Sequence, residues 1–420
     1  MLRQLPVVAR GTTLLLNAIM AVVIARTFGA AASGEFFLAF SVVNVLGMVG
    51  RLGTENQAIK ALPQLFHEKE LDAFWGHLKW LRRVCLSGAF AVGGLAFIFG
   101  YGLVLSNHGG QFGPHLMILA ASIPLSSASI LESSALRSAG RTSLGAFAET
   151  GLSQGLTIVS LLALTAMATF DPLAISICYT ASAAVTTALA FYWTRRGIVG
   201  GRVPLRERPR QAREATMTSM LQMMGSSVLF FILTSSPVFV LGISATARDI
   251  GFYNAAARSS TLISLIPALQ TTYLVPRLAL SLATGQLSES NRLLRRAVRQ
   301  ASLVTLLMAL LMLTFSEQIM SIFGGDFEAA RSTLIILTIG QSLLIFLGNV
   351  NPVMAVVGLE RSSLVAVGAA IVVGIGPMIY IAGVYGALGA ACVYMAISVG
   401  YSVVCNVLLL RARGLKCLVS

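Results

Sequence analysis

Hydrophobic residues in this chain come in long blocks. Ser362 to Leu410 runs 49 residues without an Asp, Glu, Lys or Arg, and Val84–Leu131, Thr150–Phe170, Pro172–Thr194, Ala215–Ala247 and Ser332–Leu359 are also free of charge. A hydrocarbon core about 30 Å thick takes roughly 20 apolar residues of helix, so each block holds one or two membrane spans. Apolar runs between charge clusters predict twelve helices, near 8–27, 33–53, 83–105, 114–137, 142–169, 172–194, 215–242, 248–275, 298–322, 329–355, 362–384 and 387–411. Breakers mark the joins: Gly109 with Gly110, Asp171 with Pro172, Gly324 with Gly325, and Gly386 before Gly389. Leu14–Ile24 precedes a loose signal-peptidase match at Ala30–Ala32, but with so many spans behind it a retained first helix is the simpler reading.

The expected fold is an all-α polytopic membrane protein. Composition agrees, with 56% hydrophobic and 11% charged residues among 420. The net charge of +14 needs no nucleic acid, because the basic residues gather between spans. Alternate connections hold Arg3 and Arg10; Lys60, Lys69, Lys79, Arg82 and Arg83; Arg137 and Arg141; seven arginines from Arg195 to Arg213; Arg277, Arg292, Arg295, Arg296 and Arg299; and Arg361, Arg411, Arg413 and Lys416. The opposite connections carry only Arg26, Arg248 and Arg331. Both termini are therefore expected on the cytoplasmic side of an inner membrane. The outer connections are too short for an outer catalytic domain, so a transporter is expected, not an enzyme. Asn56–Trp80 mixes apolar and charged positions and predicts an amphipathic helix on the cytoplasmic surface.

Cys85, Cys178, Cys392, Cys405 and Cys417 show no paired spacing, and are expected as small apolar side chains. His67, His77, His108 and His115 are expected between helices, without metal-ligand spacing. No metal or organic cofactor is expected.

A repeat divides the chain. Gly34, Phe36 and Ala39 recur as Gly251, Tyr253 and Ala256 at an offset of 217, and Gly140–Leu144 resembles Gly358–Leu364 at 218. The expected organisation is a six-helix lobe over 1–194, a basic cytoplasmic linker over 195–214 and a second six-helix lobe over 215–420. Six helices per half enter the membrane in the same direction, as in alternating-access transporters.

Several segments resemble the multidrug/oligosaccharidyl-lipid/polysaccharide exporter superfamily, most closely its oligosaccharide flippase branch. They are Ala25–Ala30, Phe36–Phe40 with Asn44, Gly251–Arg258, Pro276–Leu278, the Phe323-Gly324-Gly325-Asp326-Phe327 turn, and Gly383–Ala391 before the last helix. The resemblance implies a V-shaped pair of lobes that moves polyprenyl-pyrophosphate-linked oligosaccharide to the outer leaflet for surface polysaccharide synthesis. Lipid II flippases share the first-half motif, and cation-coupled multidrug exporters share the superfamily. Polysaccharide polymerase machinery is an implied partner, beside the lipid-linked substrate and membrane lipids.

Carrying a pyrophosphate and sugars across hydrocarbon requires cations, amides and hydroxyls within the spans, since an unpaired charge there costs several kcal/mol or so. Arg258 is the leading pyrophosphate candidate, against an ion pair with Asp249 or Glu35. Arg51 stands at i,i+4 from Glu55, as a local pair or a substrate contact. Arg26 either snorkels to the outer surface or reaches the cavity. Asn17, Asn44 and Asn254 offer amides, which also serve as interhelical bonds. Glu35, Glu132 and Glu149 are candidates for coupling to an H⁺ or Na⁺ gradient; Glu132 is expected to pair with Arg137 or Arg141 if its role is structural.

Overall fold

A computed structural model of the chain describes residues 5–67, 70–106, 110–166, 171–197, 210–265, 286–348 and 350–415, and 270, 274, 277, 278 and 280–282 between them. Every regular element among these residues is helical. In order they are α1 (Leu5–Gly50), α2 (Thr54–His67), α3 (Leu71–Leu105), α4 (Phe112–Ala120), α5 (Ser122–Ser138), α6 (Thr142–Ala146), α7 (Leu152–Ala166), α8 (Leu173–Gly197) and α9 (Arg210–Ser244). Then come α10 (Ala247–Thr261), α11 (Leu287–Thr314), α12 (Ser316–Ser321), α13 (Arg331–Phe346), α14 (Val350–Val357) and α15 (Glu360–Arg413). Eight helices among the described residues are long and apolar enough to cross a membrane, nine if α4 and α5 form one bent span. Two of the eight are each broken by a glycine with non-helical backbone, Gly29 in α1 and Gly386 in α15, as expected for two spans apiece. The chain is a multi-pass membrane protein.

Contacts divide it into two compact units, one of Met1–Phe28 and Glu35–Phe231, the other of Gly29–Gly34 and Ile232–Ser420. Most of the expected linker, residues 198–209, lies outside the described residues.

In the first unit, α3 starts at Leu71, well before the expected 83, because the amphipathic stretch has a core to enter. Phe74, Leu78, Leu81 and Cys85 of α3 are buried with Ala58 and Leu62 of α2, Leu131 and Ala135 of α5, and Met220. The segment predicted as one surface helix over 56–80 is thus α2 plus the first turns of α3, and its apolar residues pack inside the protein. Lys79, Arg82 and Arg83, read as loop residues, lie within α3. His77 and His115 are likewise buried inside helices, not between them. The α4–α5 pair bends by 45°. Pro124, at the third position of α5, lacks an N–H for the carbonyl four residues back, which accounts for the bend. Phe90, Leu95, Ile98 and Leu105 on α3 are exposed, as side chains facing lipid should be.

In the second unit, α11 also starts early, at Leu287 against an expected 298. Its buried face joins Ala301, Ala309 and Met312 to Ile263 and Ile345. The Phe323–Phe327 turn has a physical role: Phe327 is buried and its ring meets Phe252 of α10 at 5.6 Å. Thr246 and Asp249 form a reciprocal cap on α10, and Asp249 also accepts a bond of 3.4 Å from the Ala387 N–H, just after the α15 break. At Gly386 φ is 55°, and a Cβ would strike the Asp249 carboxylate.

The repeat is visible in the backbone. Gly140 and Gly358 both have φ of 78°, the left-handed value that ends a helix. The following N–H groups make the same return bond, Arg141 to the Leu136 carbonyl at 2.9 Å and Leu359 to that of Met354 at 3.0 Å. Within the second unit, a Cβ on Gly34 would strike the Ala247 carbonyl and one on Gly251 the Ala30 carbonyl. Each glycine meets the residue four before the other, so the close approach is reciprocal.

Candidate functional site

Several polar groups of the first unit line one small cleft, with a cavity volume of about 30 Å³, together with apolar Phe40, Val43, Ile130 and Ala183. Arg51, Asn44 and Glu149, three of the candidates, line it. Tyr179 and hydroxyls of Ser122, Ser126, Ser129, Thr150, Ser153 and Thr186 line it too.

Arg51 follows the last turn of α1 and is buried. The next residue, Leu52, has φ of 52°, the only positive value outside glycine among the described residues, so the chain turns sharply there. The guanidinium Nε donates to Glu55 Oε1 at 3.2 Å, which is the expected local pair. Asn44 stands two turns earlier, its amide donating 2.8 Å to the Phe40 carbonyl of its own helix.

Glu149 reaches the cleft through a helix defect. Phe147–Gly151, between α6 and α7, is one π-helical turn, an added residue of the kind often found at functional sites. Glu149 accepts from Arg137 at 2.9 Å, and the Ser129 hydroxyl donates to the Ala148 carbonyl inside the same turn. That bond steadies a segment whose own helical bonding is disturbed.

Glu132 lies elsewhere. Its carboxylate is fully buried and accepts two bonds from Arg82, at 2.5 Å from Nε and 2.7 Å from Nη2. The expected pairing with Arg137 or Arg141 is therefore wrong, since Arg137 is taken by Glu149. Aromatic faces of Trp75 and Phe191 flank the same guanidinium at 5.9 and 5.1 Å. Glu35 is half-buried on α1 and accepts from the Gln111 N–H at the start of α4. Asn17 is half-buried and Arg26 exposed on the first part of α1; neither lines the cleft.

Arg258 and Asn254 belong to the second unit, on α10. Asn254 is buried and donates 3.0 Å to the Ile250 carbonyl of its own helix. Arg258 is half-buried, one turn before the helix tightens into the 3₁₀ segment Leu262–Ser264. Asp249, one of its suggested partners, is engaged in the α10 cap.

Hydroxyls of the cleft discriminate little in sequence, because serine and threonine are frequent in spans and can bond to their own helix carbonyls. Ser122, Ser126 and Ser129 nonetheless stand at i, i+4 and i+7, one stripe of α5, and that spacing was the available signal.

The sequence profile of the family described as "Polysaccharide biosynthesis protein" matches residues 6–281. The chain belongs to this family. No curated protein matches the sequence. Among solved structures, this polysaccharide-family chain shares its fold with "Lipid II flippase MurJ, inward closed conformation", at 14% identity over 96% of this chain and 86% of that one, TM-score 0.76. An inward-facing multidrug resistance MATE family transporter of the MOP superfamily is 16% identical over 97% of both chains, TM-score 0.73. A MOP superfamily transporter from Pyrococcus furiosus, described as having a binding pocket of reversed polarity, is 18% identical over 97% and 93%, TM-score 0.59. The chain therefore shares its fold with transporters described as belonging to the MOP superfamily, the exporter superfamily its motifs resemble.

Proposed function

We propose that this protein is a flippase that carries polyprenyl-pyrophosphate-linked oligosaccharide from the cytoplasmic to the outer leaflet of the inner membrane, for assembly of a surface polysaccharide. The observation that carries this reading is a buried arginine, Arg51, in a cleft of amide and hydroxyl groups within the spans of a polysaccharide biosynthesis family member. A hydrated, oxygen-rich sugar needs such groups to leave water, and its pyrophosphate needs a cation. Transport is non-covalent, by alternating exposure of the binding groups to the two sides. Arg258 is the cation assigned to the pyrophosphate in the second unit, and Arg51 the one assigned in the first. Arg26, Asn17, Asn44 and Asn254 are further substrate contacts in this reading. Glu149, which lines the same cleft as Arg51, is the carboxylate assigned to take up H⁺ or Na⁺, ahead of Glu35. Both termini are cytoplasmic, and polymerase machinery receives the product outside.

The test is export in cells lacking the native gene. Arg51→Ala and Arg258→Ala should each abolish export at normal protein abundance, with lipid-linked glycan accumulating on the cytoplasmic leaflet. Lysine at either position should restore part of it, since a point charge lacks the planar fork of arginine. Full export by both alanine variants would overturn the assignment. Accumulation of a peptidoglycan precursor instead would redirect it to lipid II.

A further inference from the structure

Helix α11 carries an exposed basic stripe with no role in the site described above. Arg292, Arg295, Arg296 and Arg299 stand at i, i+3, i+4 and i+7, all exposed, on the side away from buried Ser290, Leu294, Val298 and Ala301. The same stripe continues as Leu303, Leu306, Leu307 and Leu310, which are 59–64% exposed. One helix face therefore changes from arginine to leucine within a single turn, and that change marks the level where headgroups meet hydrocarbon. The last helix adds to the basic end: the Gly414 carbonyl accepts 3.2 Å from Asn291, so α15 ends against the first turn of α11, with Arg411 exposed one turn before.

The repeat shows why these cations are available. Arg82 of the first unit corresponds to Arg299 at the offset of 217, and Lys79 to Arg296. Arg82 is neutralised by buried Glu132, but residue 349, which corresponds to Glu132, is an asparagine. Among the described residues the one carboxylate within 4 Å of the stripe is Glu289, 3.9 Å from Arg292.

We propose that this stripe is a binding site for anionic phospholipid headgroups, with the lipid's acyl chains lying along the leucines. The inference does not depend on the transported substrate. The phosphate of a phosphatidylglycerol-type headgroup matches the guanidinium fork, and four arginines on one face can hold two or more such groups. A near-surface arginine is worth roughly five-fold in binding, so losing two should cost roughly 25-fold.

Full-length protein would be purified in neutral detergent and titrated with phosphatidylglycerol, then with phosphatidylcholine, reading retained lipid by native mass spectrometry. Wild type should retain phosphatidylglycerol well above phosphatidylcholine. Arg295→Gln with Arg299→Gln should lose that preference roughly 25-fold, whereas Arg295→Lys with Arg299→Lys should keep most of it. Arg248→Gln with Arg331→Gln, which removes the same charge elsewhere, should behave as wild type. Unchanged retention in the glutamine variant, or an equal loss in the Arg248/Arg331 control, would overturn the site. Displacement of the lipid by micromolar inorganic pyrophosphate would overturn it too, by showing that the stripe prefers the substrate's headgroup. Melting profiles in neutral detergent separate a binding loss from misfolding.

Discussion

Removing Glu132 tests whether its carboxylate holds the first unit together or takes part in transport. Glu132→Ala deletes both bonds from Arg82 and leaves a guanidinium only 17% exposed without its counter-ion. Breaking a buried pair by removing one partner costs about 3–5 kcal/mol. Trp75 and Phe191 still offer their ring faces to the orphaned cation, which places the cost near the lower end, about 3 kcal/mol. At roughly 2–4 °C per kcal/mol for a body of this size, the unfolding midpoint should fall by about 6–12 °C. The assay is thermal unfolding in detergent, followed by the loss of the monodisperse peak on size exclusion. Replacing both partners, Arg82→Met with Glu132→Leu, removes the uncompensated charge and should restore most of the loss, because a well-packed apolar pair can match a buried ion pair. The restored variant should also export glycan normally. A shift below about 2 °C in Glu132→Ala would refute the structural role. A stable double variant that fails to export would return Glu132 to the coupling candidates.

Two further outcomes follow from the backbone. Gly251→Val should prevent normal folding, since even the first side-chain carbon meets the Ala30 carbonyl; Gly376→Val, where a Cβ meets nothing within 4 Å, should be tolerated, and equal expression of the two by fluorescence would contradict this. For topology, single cysteines at 110 and 140 in a background free of native cysteine should differ, with only 110 labelled by a membrane-impermeant thiol reagent in intact cells. Labelling at 140 would reverse the proposed orientation.

Features that depend on near neighbours in the chain were legible in sequence. Gly140 and Gly358 could be matched because a left-handed helix end favours glycine, and the Arg51–Glu55 pair because i,i+4 neighbours meet on one face. Helix starts were less legible. Phe74, Leu78 and Leu81 share their stretch with enough charge to resemble a surface helix, and only the α2 and α5 residues packed on them show that they lie inside. Arg82 and Glu132 are 50 positions apart, so no local pattern joins them, whereas Arg137 and Arg141 lie close to Glu132 in the chain. Arg51, Asn44 and Glu149 were each singled out by type, but their convergence depends on how α1, α5 and α7 pack. The π-helical turn has no compositional mark at all, since Phe147-Ala148-Glu149-Thr150-Gly151 could equally continue a regular helix.

That turn also makes the cleft sensitive to chain length. One extra residue in a helix offsets everything before it by about 100° relative to everything after it. Deleting a single residue between 147 and 151 would heal α6 and α7 into one regular helix. The carboxylate and hydroxyl of Glu149 and Thr150 would then rotate off the cleft, while the apolar composition of the span stayed almost the same. Members of the family one residue shorter at this point would keep the span and lose the acid. Among relatives, a single-residue gap would therefore separate clefts that contain a titratable group from clefts that do not, and a count of residues would reveal it where a comparison of side-chain types would not.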